Sequence, residues 1–180
     1  MYFIGLVIII FILVFIMVEV IFYNKFQMAR IRISEAENNI DILLQKKFQL
    51  LERSIKIIEE TNSRYQEDAL STKLLKIKNK KMNNFELNKE LEKIIAEYRS
   101  LLDLDSKMSS VQSIININFE LIEIGNELIA AKKYYNEHIV YYNKLIRSIP
   151  SNIVAKLYHY TTKDFYSDEK IEIFEILKEK

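Results

Sequence analysis

The sequence predicts an all-α protein: an N-terminal transmembrane helix that continues into an antiparallel up-and-down four-helix bundle with two long and two short helices. Three observations carry that expectation. The chain holds only two glycines and one proline in 180 residues, too few for the positive-φ turns that hairpins and α/β loops need. Residues 1–18 contain no charged side chain. Beyond them, apolar residues recur every three or four positions, the spacing of one helix face.

The anchor is expected over residues 1–23. About 20 helical residues cross the roughly 30 Å hydrocarbon layer, and residues 2–23, rich in Ile, Val, Phe and Leu, supply them. A soluble core helix keeps a polar face, and this stretch has none before Glu19. A cleaved signal would show basic residues ahead of the apolar run and a small-x-small site behind it; neither occurs. Glu19 lies about one turn from the polar end and reads as a boundary residue. Lys25, Arg30 and Arg32 follow the span and no basic residue precedes it. The positive-inside rule therefore places the N-terminus outside and residues 24–180 in the cytoplasm.

The bundle is expected over residues 24–149, with helices at about 24–61, 64–81, 85–102 and 107–149, followed by a tail at 150–180. Ile33, Ile40, Leu44, Leu51, Ile55 and Ile58 form the first seam, interrupted by Glu37 and Lys47. Thr61, Asn62 and Ser63 favour a turn, because short polar side chains compete for backbone hydrogen bonds. Tyr65, Leu70, Leu74 and Ile77 mark the second helix. Phe85, Leu87, Leu91, Ile94, Ile95, Tyr98, Leu101 and Leu102 mark the third, ended by Asp103, Asp105 and Ser106. Val111, Ile114, Ile115, Phe119, Ile122, Ile129, Tyr135, Ile139, Tyr142 and Ile146 mark the fourth, which Pro150 must end or redirect. About 39 residues make roughly 58 Å of first helix and about 44 make roughly 66 Å of fourth. The two shorter helices then fit on the far half of the long pair, leaving a two-helix stalk that returns the chain to the bilayer near Pro150.

Composition removes most chemistries. Without cysteine there is no disulfide framework, thiolate zinc site or cysteine nucleophile. Gly5 and Gly125 stand alone, which excludes dinucleotide and Walker loops. Twenty-six basic against 25 acidic residues leave no basic surface for nucleic acid. The Glu-x-x-His pair of carboxylate-bridged metal bundles is absent, since Tyr135 and Lys156 stand three residues before His138 and His159. Glu59 and Glu60 are adjacent rather than convergent, and no serine has a histidine near it. No catalytic or metal-binding residue, cofactor or small-molecule substrate is expected, and the chain does not read as an enzyme.

Three features invite binding. Lys73, Lys76, Lys78, Lys80 and Lys81 form either a phosphate or anionic-lipid patch or a solvated face. Tyr134-Tyr135-Asn136 recurs seven residues later as Tyr141-Tyr142-Asn143, two helical turns apart. Asparagines in an apolar seam fix register at some cost in stability, so the repeat reads as packing and register, or as an aromatic–amide groove for a partner helix. In the tail, Ile153, Val154, Leu157, Tyr158, Tyr160, Phe165 and Tyr166 stand beside Lys156 and Lys163. They suit lipid headgroups or packing against the stalk.

Tyr23-Asn24, Ala36, Ile40-Asp41, Leu44, Lys46-Lys47-Phe48 and Leu51 resemble the first signature of the LemA family of bacterial membrane-anchored helical proteins. The run from Asn126 through Asn136, then Tyr142-Asn143 and Ile149-Pro150-Ser151-Asn152-Ile153-Val154-Ala155, resembles its second. The resemblance covers residues 23–58 and about 124–166, whereas 62–118 matches only in length and helicity. Leu51-Glu52 replaces the family's proline-containing step, Gly125 an acidic residue, and Lys156 a glycine. The resemblance implies a single-pass protein of the bacterial cytoplasmic membrane with no established enzymatic activity. Tyr135, Asn136, Tyr142 and Asn143 of the repeat, with Pro150, Ser151 and Asn152, are expected to be structural or interaction residues. The expected function is a non-enzymatic membrane-anchored scaffold that presents its bundle to helical protein partners or to copies of itself. The alternative is a membrane-active protein that binds or shapes lipid through its tail.

Overall fold

The computed structural model describes residues 2–61 and 69–166. Asn62 and Ser63 of the expected turn, Tyr65 of the second helix and the tail beyond Tyr166 lie outside the described residues. These residues form six helices and no strand: α1 (Tyr2–Thr61), α2 (Ala69–Asn79), α3 (Asn84–Leu104), α4 (Ser106–Ser109), α5 (Gln112–Arg147) and α6 (Ser151–Leu157).

The expected anchor and first bundle helix are one continuous helix of 60 residues. Its only glycine is Gly5 and it has no proline, so nothing interrupts the hydrogen-bond ladder. The expected fourth helix is instead divided. Asp105 Oδ1 accepts from the Lys107 and Met108 amides at 3.1 and 3.4 Å, which starts the one-turn α4. Ser110 Oγ donates to the Lys107 carbonyl at 2.8 Å and closes it. Asn83 begins α3 as an N-cap, its Oδ1 accepting from the Glu86 amide at 2.8 Å.

The chain falls into two compact units, one within Met1–Glu37 and Lys133–Lys180, the other within Asn38–Lys132. In the second, Ile40, Leu44, Leu51, Ile55 and Ile58 of α1 are buried, as are Leu70, Leu74 and Ile77 of α2 and Leu91, Ile94, Ile95, Tyr98 and Leu102 of α3. On α5 the buried face is Ile114, Ile117, Leu121, Ile124 and Leu128, whereas Phe119, Ile122 and Ile129 of the expected seam are exposed. That part of the expectation is corrected: α5 carries apolar residues on two faces, and spacing alone cannot choose between them.

Several polar groups in this unit are paired across helices. Tyr98 Oη donates to Asn118 Oδ1 at 3.0 Å and lies 2.6 Å from Ser54 Oγ, which ties α3 to both α5 and α1. Burial pushes the Tyr98 phenol above its ordinary pKa and keeps it a neutral donor. Lys47, the seam's interruption, is buried and bonds Glu92 of α3. Lys73 reaches Glu97 at 2.7 Å and Lys78 reaches Glu52 at 3.1 Å, joining α2 to α3 and α1.

With its proton given to Asn118, Tyr98 Oη accepts from Ser54, so Tyr98→Phe strands a buried hydroxyl. The full chain in detergent should lose about 1–3 kcal/mol in urea unfolding. Adding Ser54→Ala should cost less in that background than in the wild type, and equal costs would show the two hydroxyls to be uncoupled.

Candidate functional site

The unit formed by residues of Met1–Glu37 and Lys133–Lys180 holds the second signature from Lys133 onward, including Tyr135, Asn136, Tyr142, Asn143 and Ile149–Ala155. Phe26, Ala29 and Ile33 of α1 form a core with Ile139, Tyr142 and Leu145 of α5 and Val154 and Ala155 of α6. The Phe26 and Tyr142 rings meet edge-on at 5.8 Å. Antiparallel pairing through that contact places Pro150, eight residues beyond Tyr142, opposite Val18, eight residues before Phe26.

α5 ends at Arg147, and the Ile149–Pro150 peptide is cis. Ser151 Oγ lies 2.6 Å from the Leu145 carbonyl and 2.9 Å from the Ser148 carbonyl, so its hydroxyl serves the open C-terminal end of α5. α6 turns back at His159, whose φ of 52° is left-handed. The Tyr160 amide donates to the Ala155 carbonyl at 2.8 Å and the His159 amide to Lys156 at 3.2 Å, the Schellman pattern with histidine in the usual glycine position. Lys156 therefore sits inside α6, and the turn comes three residues later.

Beyond this turn the tail runs back along α5, held by the two asparagines. Asn143 Nδ2 donates to the Lys163 carbonyl and its Oδ1 accepts from the Lys163 amide, both at 2.9 Å. Asn136 repeats the pattern on Tyr166, accepting at 2.8 Å and donating at 3.3 Å. Each side-chain amide thus stands in for the facing peptide of an antiparallel strand pair. The spacing matches because seven helical residues rise about 10.5 Å and three extended residues span about 10 Å. Tyr135 Oη adds a long bond of 3.4 Å to the Asp164 carbonyl. Burial, and then the Glu37 carboxylate, push the Tyr135 phenol up to about 12, so it remains a neutral donor. The asparagine amides thus set the register of the tail on α5, where a register device between helices was expected.

The tail residues expected at lipid divide. Val154 and Tyr166 are buried, and Tyr160 and Phe165 pack against the core. Tyr160 packs at a tilt against the Phe26 ring at 4.9 Å, accepts from Gln27 Nε2 at 3.1 Å and lies under Arg30. Packing on the neighbouring helices, the other expected use, accounts for these four. Ile153, Leu157 and Tyr158 are exposed, together with Ile149 at 83%, which spacing had not singled out. Tyr158 Oη donates to Glu19 Oε1 at 2.7 Å, a partner for the one charged group in the apolar run. A cavity of about 170 Å³ lies between α1 and α6, lined by Phe11, Val14, Phe15, Val18 and Glu19 opposite Pro150, Ile153, Val154 and Leu157. Pro150 therefore sits beside residues 11–19, above the level of residue 23 inferred from helix lengths, because the Phe26–Tyr142 register fixes the offset. Asn152 has a buried Oδ1 without a hydrogen-bond partner. No group of three or more His, Cys, Asp or Glu side chains converges as a metal site among the described residues.

Over the described residues these features define an all-helical protein with one helix long and apolar enough to cross a membrane and a tail clamped back onto its last long helix. The chain belongs to the LemA family, whose family model matches residues 36–175. That match takes in the paired tyrosines, both asparagines and the Pro150 elbow. No curated protein matches the chain.

If the asparagines hold the tail, Asn136→Leu and Asn143→Leu should each speed hydrogen exchange at the Tyr166 and Lys163 amides. A loss of about 1.4 kcal/mol per clamp is about tenfold in exchange rate. Each variant should act most at its own partner amide; a uniform rise throughout α5 would mean global destabilisation instead.

Proposed function

We propose that this protein is a non-enzymatic, single-pass scaffold of the bacterial cytoplasmic membrane, with its N-terminus outside and residues 24–180 in the cytoplasm as an antiparallel four-helix bundle and its tail. The observation that carries the reading is the state of the apolar end of α1. Every apolar side chain from Tyr2 to Met17 is 48–97% exposed, on all sides of a helix that continues unbroken into packed core. A core helix would bury these groups, and water would leave a continuous apolar surface uncovered; a hydrocarbon layer satisfies them. The basic residues Lys25, Arg30 and Arg32 follow the span, which favours the cytoplasmic side for the bundle. The bundle's exposed apolar residues, among them Leu104 at 87% and Phe119 at 68%, supply surface for helical partners.

The tail supports a second, compatible reading. α6 lies alongside Phe11–Glu19, and Ile149, Ile153 and Leu157 are exposed there. At that depth the elbow immerses apolar side chains in acyl chains while the Tyr158–Glu19 bond shields a carboxylate. In this form the protein binds lipid through the α5–α6 elbow.

The chain has no cysteine and no tryptophan, so single probes report cleanly. Leu104→Cys should resist a membrane-impermeant thiol reagent until cells are opened; labelling of intact cells would overturn the cytoplasmic placement.

A tryptophan in reconstituted bilayers tests the elbow. Leu157→Trp should be quenched by lipid-borne quenchers severalfold more than Leu104→Trp, whereas equal quenching at the two positions would exclude lipid contact at the elbow.

A further inference from the structure

The face of α5 turned away from its own core carries a pattern that the packing of a single chain leaves unexplained. Ile115, Phe119, Ile122, Asn126 and Ile129 follow one another at steps of four, three, four and three, the a/d spacing of a coiled-coil seam. Phe119, Ile122 and Ile129 are 68, 52 and 62% exposed, Asn126 is exposed between them, and Ile115 at the end of the run is half-buried. Gly125 borders the seam inside a long helix, where glycine costs about 1 kcal/mol relative to alanine. A Cβ added there would meet nothing within 4 Å, so no contact inside the chain requires the glycine. A bare backbone beside an exposed seam lets a second helix approach closely.

We infer that this seam pairs α5 with α5 of a second copy, in parallel, with Asn126 facing Asn126 of the other chain. The inference rests on the membrane-anchored reading: anchors in one bilayer point both helices the same way, and a parallel pair in register brings the two asparagines together. Phe119 and Asn126 occupy a positions and Ile115, Ile122 and Ile129 occupy d. Isoleucine at d permits higher orders, and a buried asparagine at a selects two strands. The flanking positions bring Asn118 opposite Glu123 and Gly125 opposite Ala130, so no like charges meet. Lys133, at the next a position, ends the seam.

The patch covers on the order of 400 Å² per copy, about half a standard stable interface. Pairing is therefore weak in dilute solution and depends on the local concentration that a shared bilayer provides.

The test is disulfide formation by the full-length chain in phosphatidylcholine–phosphatidylglycerol vesicles, with one introduced cysteine at a time. Ile122→Cys and Asn126→Cys should give about tenfold more crosslinked dimer than Glu127→Cys, and Phe119→Glu in the Ile122→Cys background should abolish it. Asn126→Leu, with its own readout by in-membrane crosslinking, should shift the population toward trimers and tetramers. Retention on vesicles after alkaline carbonate is measured in the same samples. A chain that is retained but crosslinks equally at all three positions overturns the pairing and leaves the anchor standing. A chain released by carbonate overturns the anchor, and the parallel pairing with it.

Discussion

An extended segment laid along a helix has no strand beside it to take its peptide hydrogen bonds, and each buried peptide group left open costs about 1–3 kcal/mol. In this protein Asn136 removes that cost at the buried Tyr166 peptide, and Asn143 makes the same pair of bonds at the exposed Lys163. Their carboxamides have the donor and acceptor of a peptide, and two helical turns on α5 match three residues of tail. Once Lys163 and Tyr166 are held, Phe165 and Tyr166 seat against α5 and Tyr160 against Phe26 and Gln27. The elbow between α5 and α6 is fastened at both ends, by Ser151 on the α5 carbonyls and by the Schellman turn at His159.

The other unit uses buried polar groups in a related way. Tyr98 meets Ser54 and Asn118 with one hydroxyl, and Lys47 brings its charge through the seam to Glu92. Such pairs add little net stability. They work by exclusion, because sliding one helix against its neighbour would leave a buried hydroxyl or ammonium without a partner. The exposed ion pairs of α2 with Glu97 and Glu52 are worth less than about 1 kcal/mol each. They also answer part of the lysine cluster, since Lys73 and Lys78 have acidic neighbours.

A helix of 60 residues is apolar on every side at one end and amphipathic at the other, two kinds of surface in one element. The proposed bilayer accounts for the first part and the packed core for the second. Between them, Glu19, the basic residues that follow and the aromatic cluster of Phe22, Tyr23, Phe26, Tyr158 and Tyr160 have the mixed character of an interface.

The all-helical class, the uninterrupted apolar run and the family signatures were legible in the sequence because each depends on local properties: the scarcity of turn residues, hydropathy, and a repeat of seven. The α1 seam was legible for the same reason, since most apolar residues of that stretch lie on one face, the exposed Ile42 being an exception. The tertiary structure decided what local spacing leaves degenerate. It chose Ile114, Ile117 and Leu121 over Phe119 and Ile122 as the buried face of α5, because burial depends on which neighbours are present and α5 has two apolar faces. It turned the asparagines onto the tail, because an amide's partner is a backbone group about 20–30 residues away in sequence. It set Pro150 beside Val18, because the position of the elbow along α1 follows from the register of Phe26 on Tyr142 rather than from the lengths of the helices.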